Sequence, residues 1–182
     1  MSKQNPTSKQ NASQPQVAGF RVEVSRERVT LPNGREISLD IVHHPGAAAI
    51  VPFASDEDVL LIRQFRHAAG GTILEVPAGK LDAGEAPEVC AARELEEEAG
   101  QRAGRVESLG SIWTTPGFTD EVIHLFAAFD LTPVAARPED DEVIEVLRVP
   151  LADALDFVWR GELRDAKSAL ALIHAAKRLG RL

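Results

Sequence analysis

The sequence predicts an α/β (α+β) protein in which a mixed sheet is covered by helices on both faces and preceded by a small antiparallel β appendage. Apolar runs of strand length come before, between and after the helical patterns. The first helical pattern, at residues 86–99, interrupts the strands, and two more, Leu151–Trp159 and Ala166–Leu179, close the chain. With 182 residues, of which 44% are apolar, the chain can bury one core.

The first strands belong to the appendage. Val22–Val24 and Arg28–Leu31 are predicted strands, and the Pro-Asn-Gly within Leu31–Arg35 predicts a hairpin turn into the next strand, Ile37–Val42. The exposed edges of so small a sheet need a partner. Residues 17–45 are therefore expected to form an appendage through which two copies pair as a homodimer.

Residues 46–182 are predicted to form the main domain. Ser55–Asp58 marks a hairpin between the first two of its strands. The strands predicted from apolar runs are, in chain order, Ala47–Phe53, Val59–Phe65, Ile73–Val76, Val106–Trp113, Val122–Phe129 and Glu142–Val149.

Composition and charge argue against several classes of protein. A formal net charge of −8 argues against a general binder of nucleic acid or of anionic membranes, and no apolar run reaches the ~18 residues of a membrane span. The single Cys90 excludes an internal disulfide and indicates a reducing compartment. Residues 1–16, rich in Gln, Asn, Ser and Pro, predict a disordered tail rather than a secretory signal, so we expect a cytoplasmic protein.

The first helix carries a dense acidic cluster, because four of the five residues from 94 to 98 are glutamate. At 100° per residue, with Glu94 at 0°, Glu98 lies at about 40° and Glu97 at about 300°, so these three carboxylates share one arc. Glu96 is expected to face solvent. The buried face is expected to be the opposite one, which comprises Val89, Ala92, Leu95 and Ala99.

Like charges this close repel, so the cluster indicates a cation, and carboxylate oxygens suit Mg²⁺ or Mn²⁺. The alternative is a solvated acidic helix face. Two features favour the metal: the glutamates follow a loop bounded by Gly79 and Gly84 that ends in Glu85, and Arg93 can reach Glu85 and fasten that loop to the helix.

These residues carry a family resemblance. Gly79, five residues, Glu85, seven residues and then Arg93–Gly100 resemble the Nudix hydrolase signature, with Gln101 at a last position that is usually aliphatic. The resemblance implies the Nudix-type α/β/α sandwich and cleavage of a nucleoside diphosphate linked to another group, by attack of water on phosphorus. It also implies that two or three Mg²⁺ or Mn²⁺ ions are held by the three glutamates of the arc together with the Ala78 carbonyl.

Three further segments resemble ADP-ribose pyrophosphatases: Leu61–Arg66, Glu75–Leu81 and Pro116–Glu121. Pro116 lies sixteen positions after Gly100, as in that subclass. The implied reaction converts ADP-ribose to AMP and ribose 5-phosphate. GDP-mannose, another nucleoside diphosphate sugar or FAD are alternative substrates, and a non-catalytic nucleotide sensor is a more distant alternative because all the signature glutamates are present.

The resemblance also implies substrate contacts. Arg63 and Arg66 are expected to face one side of their strand, with Arg66 on the diphosphate or the adjacent ribose; exposed strand arginines are the alternative. Glu75 is either a ribose contact or a loop brace. The remaining candidates are Gly117, Phe118 and Glu121 near the terminal ribose or diphosphate, with Glu121 able to join the metal ligands, and Phe20, Arg28 and Asp40 at the base, where Phe65 replaces the family's usual tyrosine.

The general base is expected to be a glutamate. In several ADP-ribose pyrophosphatases a glutamate from a loop in the position of residues 137–142 moves in and activates water. The resemblance favours Glu142, with Glu139 next, and Glu97 beside the metals is the competing base.

Overall fold

The computed structural model describes residues 23–138 and 142–182, so Phe20, Glu139 and the predicted tail at 1–16 lie outside the described residues. The described chain divides into two compact units. The first contains residues 23–44 and 113–121, and the second contains the rest. Within the described ranges, no helix has the length and apolar character that a membrane crossing requires.

In the first unit, β1 (Glu23–Thr30) and β2 (Glu36–His43) form an antiparallel hairpin. The predicted turn is confirmed: the Leu31 amide donates to the Arg35 carbonyl at 2.8 Å, and Gly34 has φ of +83°, which glycine adopts without strain. The two short strands predicted before this turn are one continuous strand. Residues 113–121 are hydrogen-bonded to the end of β2, where the Val42 amide donates to the Phe118 carbonyl at 2.8 Å.

The second unit is built on a four-stranded sheet in the order β6-β3-β9-β8. Its strands are β3 (Ala47–Pro52), β6 (Ala78–Lys80), β8 (Arg105–Trp113) and β9 (Val122–Phe129), and only the last residue of β8, Trp113, is counted with the first unit. β3 runs parallel to β9 and antiparallel to β6, so the sheet is mixed, as the sequence predicted. Every residue of β3 is buried because both faces of the sheet are covered.

Three helices complete the unit: α1 (Pro87–Ala99), α2 (Leu151–Trp159) and α3 (Ala166–Arg178). Alternate residues of β3 serve two separate cores. Ile50 packs with Leu95 of α1 in one core, and Val51 packs with Leu172 of α3 in the other. The predicted α/β/α sandwich is confirmed, and the predicted bounds of all three helices agree with the structure to within one residue.

A second, antiparallel sheet has the order β11-β4-β5, with β4 (Asp58–Arg66), β5 (Gly71–Glu75) and β11 (Ile144–Pro150). A 3₁₀ turn, His67–Ala69, joins β4 to β5. The predicted hairpin between β3 and β4 is only a tight turn, because one bridge joins Phe53 to Val59 and the two strands then enter different sheets. The short strands β6, β7 (Gln101–Arg102) and β10 (Thr132–Pro133) escaped prediction since two or three residues show no periodicity.

Candidate active site

The candidate site begins where β6 turns into α1. In the loop between them, the Asp82 amide donates to Glu85 Oε2 and the Glu85 amide donates to the Asp82 carbonyl, both at 3.0 Å. Pro87 occupies the first turn of α1, where its missing N–H leaves no hydrogen bond unmade. Gly100 ends the helix in the left-handed conformation, and its amide donates to the Leu95 carbonyl. The helix therefore has fixed ends next to the β6 backbone.

Arg93 fastens this loop to the helix, as the sequence predicted. Its Nε and Nη2 donate to the two carboxylate oxygens of Glu85, each at 3.0 Å, and Nη2 also donates to the Lys80 carbonyl at 3.2 Å. The paired contact lowers the pKa of Glu85 to about 2 and raises that of Arg93. Nη1 donates to Glu94 at 2.6 Å and to Glu97 at 2.9 Å. One guanidinium thus orders three carboxylates.

Glu94 lies directly against the backbone of Gly79. A Cβ atom built on Gly79 would stand 1.8 Å from Glu94 Oε1 and 2.1 Å from its Cδ, so the carboxylate occupies the space that any other residue's side chain would fill. Burial raises the pKa of Glu94, and the contact with Arg93 opposes that shift. The glycine of the signature is therefore required by this close approach rather than by a turn.

Glu98 is the most buried carboxylate of the helix, with 3% of its surface exposed. Its Oε2 accepts a hydrogen bond from the Ala78 amide at 2.8 Å. Burial raises the pKa of Glu98 to about 8, with Glu94 and Glu142 adding to the shift and Arg66 opposing it. The folded chain thus holds an acidic group whose charged form is disfavoured and which a nearby cation would stabilise.

The predicted buried face of α1 is only half correct. Leu95 and Ala99 are buried as predicted, but Val89 is 59% exposed and Ala92 is half-buried. Cys90 and Glu98 are buried instead, so the side that packs against the sheet includes Glu98 and does not lie opposite the glutamates. The reason is the neighbour: β6 presents its backbone to this side of the helix, and polar side chains can be buried there with hydrogen bonds. Glu96, expected in solvent, pairs with Arg102 at 2.7 Å.

The three carboxylates of the predicted metal site are held by two partners in the structure. Glu94 and Glu97 both accept from Arg93, while Glu98 accepts from Ala78. Among the described residues, no three acidic, histidine or cysteine side chains converge in a metal-binding arrangement. All the candidate donors are nonetheless oxygen atoms, which is the donor set that Mg²⁺ and Mn²⁺ prefer.

Arg66 and Glu75 form a second charged group beside the helix. Arg66 Nη2 donates to Glu75 Oε2 at 2.8 Å, and Nε contacts both carboxylate oxygens at 3.2 and 3.3 Å. Glu75 is 2% exposed, whereas the Arg66 side chain is 39% exposed. Arg66 has a raised pKa, first through its hydrogen bond to Glu75 and in smaller part through Glu98, which places its charge near the acidic helix. Arg63 does not share this face, since it lies three residues away on the same strand and pairs with Glu145 at 3.2 Å.

Glu142 reaches the same region from the start of the β11 segment. Its charge contributes to the raised pKa of both Glu94 and Glu98. Gln64 of β4, a residue that the sequence patterns did not single out, donates to Glu142 Oε1 at 3.3 Å. Gln64 is 3% exposed, although glutamine is a residue type that is mostly found on the surface. The available signal in the sequence was an uncharged polar residue that follows the apolar run Val59–Ile62 of β4.

The other predicted substrate residues belong to the first unit. Asp40 is paired with Arg26 at 2.7 Å, and Arg28 is exposed on β1. Glu121 accepts from Thr114 Oγ1 at 2.9 Å and lies 3.4 Å from His44. Gly117 and Phe118 lie in the turn that precedes it, with Phe118 52% exposed.

That turn is held by a histidine at the end of β2. His43 Nδ1 lies 2.7 Å from Asp120, and its Nε2 lies 2.8 Å from Ser25 Oγ. The hydrogen bond to Asp120 raises the pKa of His43. The turn is thus attached to both strands of the hairpin.

Known proteins resemble this chain along most of its length. The profile of the NUDIX domain family matches residues 42–170. An ADP-ribose pyrophosphatase of Bacillus subtilis (strain 168) is 41% identical over 157 residues, 85% of this chain and 85% of that protein. A GDP-mannose pyrophosphatase of Cronobacter sakazakii (strain ATCC BAA-894) is 41% identical over 138 residues, 71% of this chain and 72% of that protein.

A solved structure described as an ADP compounds hydrolase aligns with a TM-score of 0.80 at 24% identity, over 99% of this chain and 100% of that chain, and thereby has the same fold. The family profile and the sequence relatives cover the strand, loop and helix that carry Gly79, Arg93 and the glutamates. The chain therefore belongs to the Nudix hydrolase family.

Proposed function

We propose that this Nudix enzyme hydrolyses the diphosphate bond of ADP-ribose and releases AMP and ribose 5-phosphate. The observation that carries the proposal is the pair of carboxylates packed against β6, half-buried Glu94 over Gly79 and buried Glu98 on the Ala78 amide, with the Arg66–Glu75 pair beside them. Acidic groups next to a partly exposed arginine side chain suit the binding of a diphosphate together with divalent cations. The name of the Bacillus subtilis relative supports ADP-ribose as the substrate.

The ligands proposed for Mg²⁺ or Mn²⁺ are the carboxylates of Glu94, Glu97 and Glu98 and the carbonyl of Ala78. Two or three such ions would supply charge that offsets the negative charge developing on the diphosphate and would lower the pKa of the attacking water. The raised pKa values of Glu94 and Glu98 fit this assignment, because bound cations would favour the charged forms of both groups.

The remaining roles fall to the chain's own side chains. Arg93, held by Glu85, keeps Glu94 and Glu97 in place as a positioning residue. Arg66 offers a planar guanidinium to the diphosphate. The attacking water loses its proton to Glu142 or, as the competing assignment, to Glu97. The oxygen of that water bonds to one phosphorus while the bond from this phosphorus to the bridging oxygen breaks.

Other assignments from the sequence are retained as proposals. Gly117, Phe118 and Glu121 are proposed contacts of the terminal ribose or diphosphate, Glu121 also as a metal ligand, and Phe20, Arg28 and Asp40 are proposed contacts of the base. Arg63 remains a candidate substrate contact that would approach from the opposite face of β4. Pairing of two copies through the N-terminal strands and a cytoplasmic location are likewise proposed.

A panel of nucleotides tests the substrate assignment. With Mg²⁺ present, ADP-ribose is expected to give the highest kcat/KM among ADP-ribose, GDP-mannose and FAD, measured as phosphate released after phosphatase is coupled to the reaction. The second candidate, GDP-mannose, is favoured by the Cronobacter relative. A higher kcat/KM for GDP-mannose would make GDP-mannose the assigned substrate in place of ADP-ribose. If no compound were turned over, the result would favour a nucleotide sensor.

Replacing Arg66 by lysine is expected to raise KM for ADP-ribose by about tenfold, because an ammonium group cannot bind Glu75 and a phosphate through paired hydrogen bonds. Steady-state kinetics measure the change. Arg148→Lys is the matched control, since Arg148 also pairs with a carboxylate from a strand, that of Asp58, and is 57% exposed. Equal KM values for the two variants would remove Arg66 from the substrate site.

A further inference from the structure

The first turn of α3 makes contacts beyond those that a helix start requires. Asp165 is its N-cap and accepts from the Ser168 amide at 3.0 Å. The same oxygen, Oδ2, also accepts from Ser168 Oγ at 2.5 Å and lies 2.9 Å from Lys167 Nζ. An N-cap needs only the first of these bonds, so the other two hold Lys167 and Ser168 in fixed orientations.

Both side chains also form contacts with residues at the end of β5. Lys167 Nζ lies 3.2 Å from Glu75 Oε2, and Ser168 Oγ accepts from the Val76 amide at 2.8 Å. Ser168 is fully buried, and the Lys167 side chain is only 14% exposed. The Val76 amide lies outside the strands, so without Ser168 this buried donor would lose its partner.

These contacts lead into the candidate active site along two routes. Glu75, held by Lys167, is the carboxylate that binds Arg66. Val76, held by Ser168, lies two residues before Ala78, whose amide binds Glu98. Positive and negative side chains alternate along the first route, which runs from Arg66 through Glu75 and Lys167 to Asp165. The buried carboxylate of Glu75 is therefore shared by two positively charged side chains, Arg66 and Lys167.

We propose that Asp165, Lys167 and Ser168 are positioning residues of the diphosphate site. Lys167 takes part of the charge of Glu75 and so leaves Arg66 able to attract a phosphate, while Ser168 fixes the segment that carries the Ala78 carbonyl. This assignment rests on the proposed function. It gives the start of α3, far from the signature in sequence, a part in binding the substrate.

Lys167→Met tests the first route. Without Lys167, Arg66 is the remaining positively charged partner of Glu75 and binds phosphate less strongly. KM for ADP-ribose is therefore expected to rise about tenfold, while kcat changes less than about threefold. The affinity for α,β-methylene ADP-ribose, which cannot be cleaved at that bond, is expected to fall by the same factor in calorimetric titration with Mg²⁺. Lys167→Arg should restore both values, and Lys177→Met, an exposed lysine on the same helix, is the control expected to match the unchanged protein.

Ser168→Ala tests the second route with a measurement that does not depend on turnover. Loss of the bond to Val76 is expected to weaken Mn²⁺ binding by about fivefold in a titration followed by electron paramagnetic resonance, and Ser168→Thr should restore it. The proposal is overturned if both KM and analogue affinity of Lys167→Met stay within twofold of the unchanged protein, or if Lys167→Arg fails to rescue them. An unchanged protein that neither cleaves ADP-ribose nor binds its analogue would instead reject the proposed function.

Discussion

Gly79→Ala is expected to reduce kcat/KM for ADP-ribose by about 10³-fold, which corresponds to roughly 4 kcal/mol of lost transition-state stabilisation. The added Cβ would lie 1.8 Å from Glu94 Oε1, so the carboxylate must leave its place against the β6 backbone. Glu94 is a proposed metal ligand, and a shift of about 1 Å in a catalytic group can remove two orders of magnitude in rate. The larger loss is expected here because Arg93, which contacts Glu94 and Glu97 together, would move as well.

Stability is expected to change much less than activity in this variant. The clash involves the far end of a flexible side chain, and the fold depends on the two cores on either side of β3 instead. Thermal unfolding and kinetics of the same preparation separate the two effects. Gly71→Ala is the matched control, since Gly71 also lies on a strand and nothing stands within 4 Å of the added Cβ. A Gly79→Ala variant within tenfold of the unchanged protein would show that the position of Glu94 is unimportant.

The fold could be predicted where periodicity extends over many residues. The three helices and the longer strands have enough apolar residues in phase to fix their type, and Pro87 and Gly100 mark the ends of α1. The division of strands between sheets could not be predicted in this way. β3 and β4 are joined by a turn that looks like a hairpin in sequence, and only packing against β9 and β11 draws them into separate sheets.

The residue types of the candidate site could be predicted from the sequence, but the orientation of their side chains on the helix could not. Helical geometry grouped Glu94, Glu97 and Glu98, but it assigned the buried face from apolar residues alone and so placed Val89 inside. The rule that buried faces are apolar fails where a strand backbone supplies hydrogen bonds, as Ala78 does for Glu98. The contacts of Lys167 and Ser168 could not be predicted from the sequence, because their partners, Glu75 and Val76, are about ninety residues away along the chain.

Glu98→Gln is expected to reduce kcat for ADP-ribose by 10³-fold or more and, in the absence of metal, to raise the stability of the protein. The amide oxygen of glutamine can still accept from the Ala78 amide, so the local structure should persist. What disappears is a negative charge that burial and the charges of Glu94 and Glu142 disfavour. A proposed metal ligand is thus lost together with a source of instability.

The gain in stability should depend on pH in a defined direction. Because the pKa of Glu98 is raised from 4.5 to about 8, the folded state binds this proton more tightly than the unfolded state does. The contribution of Glu98 to the free energy of unfolding is therefore highest below pH 4.5 and declines as the pH rises through 8. Glutamine does not titrate, so the advantage of Glu98→Gln should grow between about pH 5 and pH 9, to roughly 1–3 kcal/mol or roughly 2–12 °C in Tm.

Thermal unfolding with EDTA at pH 6 and pH 9 measures this gain, and the same scans with Mg²⁺ test its cause. Added Mg²⁺ is expected to raise the Tm of the unchanged protein more than that of Glu98→Gln, because a ligand stabilises the state that binds it. Glu96→Gln is the control on the same helix, since Glu96 pairs with Arg102 away from the buried carboxylates. Equal responses of Glu98→Gln and the unchanged protein to Mg²⁺ would mean that Glu98 holds no cation, whatever its effect on turnover. A larger Mg²⁺ response in the unchanged protein would instead explain why the fold retains a buried carboxylate that destabilises it: the cation that offsets its charge comes from solution.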